Sequence, residues 1–397
     1  MVALIRETFG QVQQRAEEFV QFFYAMFFAL APATRELFAV NMQVQRSRFL
    51  RALVHVVQHI DRPAELIPFL QQLGRDHRKF GVRAEHFDAM GAALVGALRQ
   101  YAGPCWTPQA EKAWRDAFGL IAKAMREGAE ADPLPAWWTA RVIDHRRLTW
   151  DLAVVRVTPE RPVPYRAGQY VSVEIPQRPR LWRYLSPANA PRPDGSMEFH
   201  VRAVPRGAVS RAIVGHAQVG DVWRIGPPMG RMTVDRQSGR PVVMVAGGTG
   251  TAPMRAILED LSRWGENPPV TLFTGGRTLA DLPDLDTLRA MTATNPWLRV
   301  IPVLESPPRM AGFEYGTLAD VVTRYGAWAD HEILVCGSPA MIRATVSRML
   351  IAGTPLDRIT YDPFTVDKWG ALQGPPTPVT TALNGYQPGA GRPAPGW

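Results

Sequence analysis

Residues 242–253 read Val-Val-Met-Val-Ala-Gly-Gly-Thr-Gly-Thr-Ala-Pro. A run of five apolar residues suits a strand buried on both faces. The glycines after it let backbone approach a pyrophosphate, and the helix they open would offer its N–H groups and positive dipole end. Pro253 suits the first turn of that helix, where its missing donor costs nothing. Taken alone, Gly247, Gly248, Thr249, Gly250 and Thr251 are equally a tight turn without a ligand. Cys336-Gly337-Ser338-Pro339 repeats the strand–turn–helix pattern. Two such turns at the ends of neighbouring parallel strands enclose a ligand crevice.

Outward from that turn the pattern alternates from Pro241 on. Strands are expected at 242–246, 270–274, 298–304, 332–336 and 358–362, and helices at 254–264, 284–292, 317–324 and 339–352. This spells a doubly wound α/β domain with a mostly parallel sheet. Residues 369–397 hold six Pro and six Gly among 29, a composition that predicts a disordered tail. Upstream, from Thr139, β-branched runs at 152–157, 170–175, 197–203 and 221–225 sit between Pro and Gly punctuation. They predict an antiparallel β-barrel of about a hundred residues.

The first ~130 residues carry only helical periodicity. Phe19, Phe22, Phe23, Met26, Phe27 and Leu30 recur at three- and four-residue spacing until Pro32 stops them. Further stripes begin at Phe49, Leu66, Met90 and Trp114, and a helix through Val12 precedes them all. Short connections complete an all-α domain. His77 extends the face marked by Leu66, Leu70 and Leu73, where an imidazole requires a hydrogen bond or a metal. Spacing alone favours a satisfied core histidine. His55 and His59 lie four apart with no third ligand nearby, which predicts a solvated pair rather than a zinc site.

The chain has 397 residues and a net charge of +9, and 41 of its 45 basic residues are arginine. Residues 1–134 carry 16 basic and 14 acidic groups, 135–232 carry 15 and 7, and 233–397 carry 14 and 15. The excess therefore sits in the barrel as scattered arginines. That suits a phosphate-bearing ligand and argues against nucleic acid as a partner. Two distant cysteines, Cys105 and Cys336, supply no disulfide framework and point to a reducing cytoplasm. The most apolar stretch, 19–31, is too short to span a bilayer, so no transmembrane segment is expected.

Within the basic segment, Arg183-Tyr184-Leu185-Ser186 is followed by Gly207-Ala208-Val209-Ser210, which opens a short helical run over 211–214. An arginine fork and a helix N-terminus together make a second phosphate site. These two elements, the two glycine turns and Phe364 after the last strand occur in an order that resembles the ferredoxin–NADP⁺ reductase superfamily over residues 136–368. The resemblance implies that Arg183, Tyr184, Ser186 and Ser210 hold FAD, with Gly207 and Val209 in the same phosphate element. It implies that Gly247 to Thr251 cradle the dinucleotide pyrophosphate. Cys336 and Gly337 would lie near the nicotinamide, and Phe364 would cover the flavin ring. Leu185 stands where the family has a flavin-contacting tyrosine. No acid ends the second strand of the nucleotide domain, where Arg277 could meet a 2′-phosphate. NADH and NADPH are both admitted, with a lean towards NADPH.

Residues 1–134 resemble a globin. Phe38 after Pro32, Gln45 opening the next helix and His77 thirty-two residues later follow the bacterial flavohaemoglobin pattern. The expected architecture is an all-α globin domain (1–134), an antiparallel β-barrel FAD domain (135–235), an α/β doubly wound NAD(P) domain (236–368) and the tail (369–397). The resemblance implies haem b ligated by His77, with Tyr24 over the distal face beside Gln45. Phe38 would pack on the porphyrin and Phe49 would line the distal pocket. Phe87 replaces a tyrosine found ten residues after the ligand, and neither Glu127 nor Glu130 falls in register with the family's proximal glutamate. A weaker-donor histidine and a divergent branch follow.

The implied activity is an oxidoreductase. Electrons pass from NAD(P)H through FAD to haem, and O₂ bound there oxidises nitric oxide to nitrate. Phe87 and Leu185 motivate an alternative: an electron-transfer enzyme with another donor or acceptor and little nitric oxide turnover. A third reading is an O₂ or nitric oxide sensor with an attached reductase.

Overall fold

The computed structural model describes residues 1–306 and 309–363. Phe364 and the tail expected at 369–397 lie outside the described residues. The helical segment forms α1 (Val2–Gln13), α2 (Ala16–Leu30), α3 (Gln43–His59), α4 (Pro63–His77), α5 (Ala84–Tyr101) and α6 (Pro108–Glu130). Their apolar stripes meet in two cores, one around Phe19, Phe23, Leu98 and Trp114, the other around Leu66, Phe69, Leu73 and Phe87. Pro63 and Pro108 begin α4 and α6 where no donor is needed.

Helices α4 and α6 cross nearly backbone on backbone. A Cβ on Gly74 would lie 1.8 Å from the Met125 carbonyl oxygen, and one on Gly128 2.3 Å from that of Gln71. Any side chain at either position would force the helices apart. The crossing fixes the C-terminal end of α4, and that end is His77.

The barrel contains β1 (Trp138–Arg147), β2 (Leu152–Pro159), β3 (Val171–Glu174), β4 (Arg183–Leu185), β5 (Met197–Arg202) and β6 (Val222–Ile225), with α7 (Ala208–His216) between the last two. The strand order is β4-β3-β6-β1-β2-β5, antiparallel throughout. A bridge between Pro187 and Phe199 draws the edges together, so the sheet is nearly closed. β1 is the longest strand, yet it falls outside the expected ones. Trp138, Ala140 and Val142 alternate inward, but a bulge between Val142 and Asp144 shifts the register and Asp144, Arg146 and Arg147 leave the second half without an apolar pattern. α7 starts at Ala208, directly after Gly207, and outruns the expected 211–214.

The last domain runs β7 (Val242–Gly247), α8 (Thr251–Leu261), β8 (Val270–Gly276), α9 (Leu285–Thr294), β9 (Leu298–Leu304), β10 (Glu314–Tyr315), α10 (Leu318–Tyr325), β11 (Glu332–Gly337), α11 (Pro339–Ile351) and β12 (Ile359–Pro363). Its parallel sheet has the order β10-β9-β8-β7-β11-β12. The order therefore reverses between β7 and β11, where such sheets bind ligands. α8 begins three residues before the expected start, because the glycine turn winds directly into it. It ends at Leu261, where the Asn267 amide donates to the Leu261 and Trp264 carbonyls at 2.9 and 3.0 Å. Among the described residues no helix is long and apolar enough to cross a membrane.

Candidate functional site

The structure brings together Tyr24, Gln45, Phe38 and Phe49, the residues expected on the distal side of a haem. Tyr24 on α2 is buried, with the rings of Phe23, Phe38 and Phe49 at 5.0, 5.7 and 5.7 Å. Phe49 also stacks on Phe23 at 4.2 Å. Gln45, in the first turn of α3, donates from Nε2 to the Tyr24 hydroxyl oxygen at 3.2 Å. Burial raises the Tyr24 pKa, so the phenol stays protonated. Because Gln45 fills an acceptor position, the Tyr24 proton is free to be donated.

His77 closes α4 with Nδ1 2.7 Å from the Leu73 carbonyl oxygen. A carbonyl only accepts, so Nδ1 carries the proton and Nε2 keeps its lone pair. Burial lowers the His77 pKa. The imidazole is thus neutral and presents one nitrogen in the form that binds iron. No carboxylate reaches Nδ1 among the described residues: Phe87 is buried, while Glu127 and Glu130 are exposed on α6, Glu127 beside Lys123 at 3.8 Å. His55 and His59 are not the solvated pair that spacing suggested. Their ring centres lie 4.0 Å apart with the planes tilted by 36°, and Phe69 lies 4.4 Å from His55. Packing of α4 against α3 leaves both only partly exposed, and burial lowers the His55 pKa to about 4.

Two residues beyond His77 lies a group that sequence reasoning missed. Lys79 is buried, pairs with Asp76, and donates to the Ser172 hydroxyl on β3 at 3.2 Å. Its ammonium lies 5.2, 5.4 and 5.5 Å from the rings of Phe80, Trp182 and Tyr184. Burial lowers its pKa against the opposing pull of Asp76. The helical domain therefore meets the barrel at Tyr184, a residue expected at the flavin. Lys79 is one of four lysines in an arginine-rich chain, and that rarity was the available signal.

On the barrel, Tyr184 pairs with Ser172 across β3 and β4, and Leu185 packs against the barrel core. Arg183 makes no ion pair among the described residues; its recorded contact is with the Trp182 carbonyl at 3.1 Å. Burial and the neighbouring Arg48 lower its pKa. Ser186 is buried, and its hydroxyl has no hydrogen-bond partner. A half-buried cation without an acid and a buried hydroxyl without a partner fit an anionic ligand such as the FAD pyrophosphate. Gly207 precedes the first turn of α7, whose N–H groups at Ala208, Val209 and Ser210 have no partner inside the helix. The arginine surplus is partly internal: Arg202 pairs with Asp151 and Asp281, both at 2.7 Å, and Arg224 with Glu174 at 3.1 Å.

The two glycine turns of the last domain touch. A Cβ on Gly250 would lie 2.3 Å from the Cys336 carbonyl oxygen, so only glycine lets the turns close. Gly248 adopts φ +55, a left-handed conformation that glycine takes without strain. Thr251 and Thr274 join hydroxyls at 3.0 Å, and Gly247, Gly248 and Thr249 are partly exposed. Cys336 is buried and Gly337 ends β11. The N-termini of α8 and α11 converge there, an arrangement suited to a dinucleotide phosphate. Arg277 is exposed just after β8, and its neighbours bond two acids: the Thr278 N–H donates to Asp281 at 3.0 Å, and the Glu305 N–H donates to the Gly276 carbonyl at 3.1 Å.

Comparison with known proteins agrees with this division. Residues 21–125 match the globin family, 139–234 the oxidoreductase FAD-binding domain, and 244–347 the oxidoreductase NAD-binding domain. A flavohaemoprotein of Bordetella parapertussis is 30% identical over 286 residues, which cover 66% of this chain and 70% of that one. A flavohaemoprotein of Chromobacterium violaceum is 26% identical over 392 residues, covering 91% and 96%. The crystal structure of a flavohaemoglobin from Malassezia yamatoensis, with bound FAD and haem, has the same fold. Its TM-score is 0.75 at 19% identity, over 92% of this chain and 98% of that one. The modules provide for haem, FAD and a nicotinamide nucleotide.

Proposed function

The chain belongs to the flavohaemoprotein family, and on that premise we propose that it is an NAD(P)H-dependent nitric oxide dioxygenase. FAD, when bound, would supply the step from two-electron hydride chemistry to single electrons, and haem would supply the site for converting O₂ and nitric oxide to nitrate. The observation that carries this reading is the junction at Lys79: the helix ending in His77 runs straight into contacts with Ser172 and Tyr184. Haem ligand and flavin strand are thus neighbours along one short stretch of chain.

In this reading His77 would hold the haem iron through Nε2, and the Tyr24 hydroxyl, held in place by Gln45, would donate to a ligand bound there. Phe38 and Phe49 wall the pocket and keep water out. Arg183, Ser186, Ser210 and the free N–H groups after Gly207 take the FAD phosphates, and Tyr184 and Leu185 pack against the flavin. The turn from Gly247 to Thr251 receives the nicotinamide pyrophosphate, and Cys336 and Gly337 flank the nicotinamide. Arg277, exposed just after β8, could meet the 2′-phosphate of NADPH.

One observation favours a second reading. The Nδ1 proton of His77 goes to the neutral Leu73 carbonyl rather than to a carboxylate, which leaves the imidazole a weaker electron donor to iron. That suits electron transfer to another acceptor with slow nitric oxide turnover. Anaerobic addition of NADH and NADPH, followed by nitric oxide with O₂, separates the two. Reduction of flavin and haem with rapid nitric oxide consumption supports the dioxygenase. Reduction with slow consumption supports the second reading, and haem that stays ferric with both nucleotides refutes both.

A further inference from the structure

A cluster of buried charges joins the barrel to the nicotinamide-binding domain, and the cradles described above use none of it. His200 and Glu198 stand two apart on β5 and so face the same side of the strand. The His200 Nε2 lies 3.3 Å from Oε1 of Glu198, and Nδ1 lies 3.1 Å from Oδ2 of Asp284, an ion-pair contact rather than an aligned hydrogen bond. Arg255 on α8 reaches between the same two acids, 2.8 Å from Glu198 and 2.9 Å from Asp284, and turns its Nε to Glu259 at 3.0 Å. Arg156 on β2 approaches Glu198 at 3.2 Å. Glu259 also accepts from the Ala190 N–H in the barrel at 3.1 Å. At the edge, Arg202 of β5 bridges Asp151 and Asp281.

Charge counting fixes the state of His200. Glu198, Asp284 and Glu259 carry three negative charges against two positive charges on Arg255 and Arg156, so the inner cluster is neutral only with a protonated imidazole. Both ring nitrogens also face carboxylate oxygens, which accept and do not donate. Buried pairs of this kind add little net stability but penalise any other arrangement of the groups they join.

We propose that His200, as an imidazolium between Glu198 and Asp284, is a positioning residue that locks the nicotinamide-binding domain onto the flavin barrel for hydride transfer. The proposal rests on the reading that NAD(P)H reduces the flavin. Arg255 lies one helical turn beyond Thr251 on the helix that opens the pyrophosphate turn. On the barrel side, the Glu198 carbonyl accepts from Ala188, two residues after Ser186, at 2.7 Å. The clamp thus ties the nicotinamide cradle to the flavin strand, and a misplacement of about 1 Å between reactants can cost about 100-fold in rate. Burial lowers the His200 pKa, but the acids at Asp284 and Glu198 overcome it and lift the value to about 9. A raised pKa means that the clamp is complete below the ordinary value of 6.5 and is lost as pH rises through about 9.

The test is rapid anaerobic mixing of the holoenzyme with saturating NADH or NADPH, following flavin absorbance between about pH 7 and pH 10. The wild-type limiting rate should fall about tenfold across the alkaline step, and His200→Gln should be slow by about tenfold at every pH without that step. Asp284→Asn should match it, and the double variant should lose little more, since both break one contact. FAD content, the haem spectrum and chemical reduction by dithionite should stay as in the wild type. A wild-type limiting rate in His200→Gln overturns the clamp, as does a raised KM alone or a loss of FAD. A wild-type flavin that neither nucleotide reduces refutes the hydride reading itself, and that outcome is distinct from the others.

Discussion

In the globin, the groups proposed to serve the haem are neutral: the Tyr24 phenol, the Gln45 amide and the His77 imidazole, its proton given to a carbonyl. In the reductase modules the corresponding groups are charged or dipolar, with Arg183 bare of an acid and the helix ends of α8 and α11 converging on one crevice. The ligands account for the difference. A porphyrin is an apolar plate whose metal needs one lone pair, whereas FAD and the nicotinamide nucleotide bring phosphates that need cations and N–H groups. The histidines follow suit. Burial lowers the pKa of His55 and His77, while acids raise that of His200. Acid should therefore strain the globin, and alkali the joint between barrel and nicotinamide domain.

The sharpest break of this comparison is His77→Ala. Haem ligation should be lost, read as a missing Soret band, while flavin absorbance is unchanged. Loss of flavin instead would mean that the two halves have been assigned to the wrong cofactors. The mirror experiment is Arg183→Met, which removes a charge-assisted contact worth about 2–3 kcal/mol and should weaken FAD binding by about 30- to 150-fold. Equilibrium dialysis measures it, and the haem spectrum should not move.

Tyr24→Phe probes a neutral hydrogen bond, so the effect should be smaller. Loss of about 1 kcal/mol predicts dissociation of O₂ from the ferrous protein faster by about fivefold in flash photolysis. An unchanged rate would show that the hydroxyl does not face the ligand. The smallest effect belongs to His55→Gln. The wild-type imidazole stays neutral in the folded globin until about pH 4, whereas the unfolded chain takes its proton near 6.5. Stability from this group is present above 6.5 and falls as the pH drops towards 4. The variant should flatten that part of a Tm-against-pH curve, and identical slopes would remove His55 as the cause.

The reductase half was the more legible in sequence, for a physical reason. Its cradles are contiguous, so the turn from Gly247 to Thr251 carries its geometry in adjacent residues, and β9 falls where the pattern places it. β1 escaped because a bulge puts its alternation out of phase between Val142 and Asp144. In the globin, Tyr24, Gln45 and His77 come from three helices, and periodicity alone could place them only on apolar faces; the resemblance linked them. Nothing in sequence pointed to His200, Glu198, Arg255 and Asp284. They come from β5, α8 and the turn before α9, and each alone looks like a surface charge.

One further contact bears on how this protein can be taken apart. Arg78, next to His77, donates to the carbonyls of Asp132 and Leu134 at 3.1 and 2.6 Å, and Leu134 itself packs on the barrel core. The connection after α6 is therefore stitched to the turn that carries His77, the proposed iron ligand. A gene fragment ending at Glu130 would leave both donors without acceptors beside that turn. The severed globin would keep a different local structure at that turn from the one in the full chain, and a protease would find little slack between the modules.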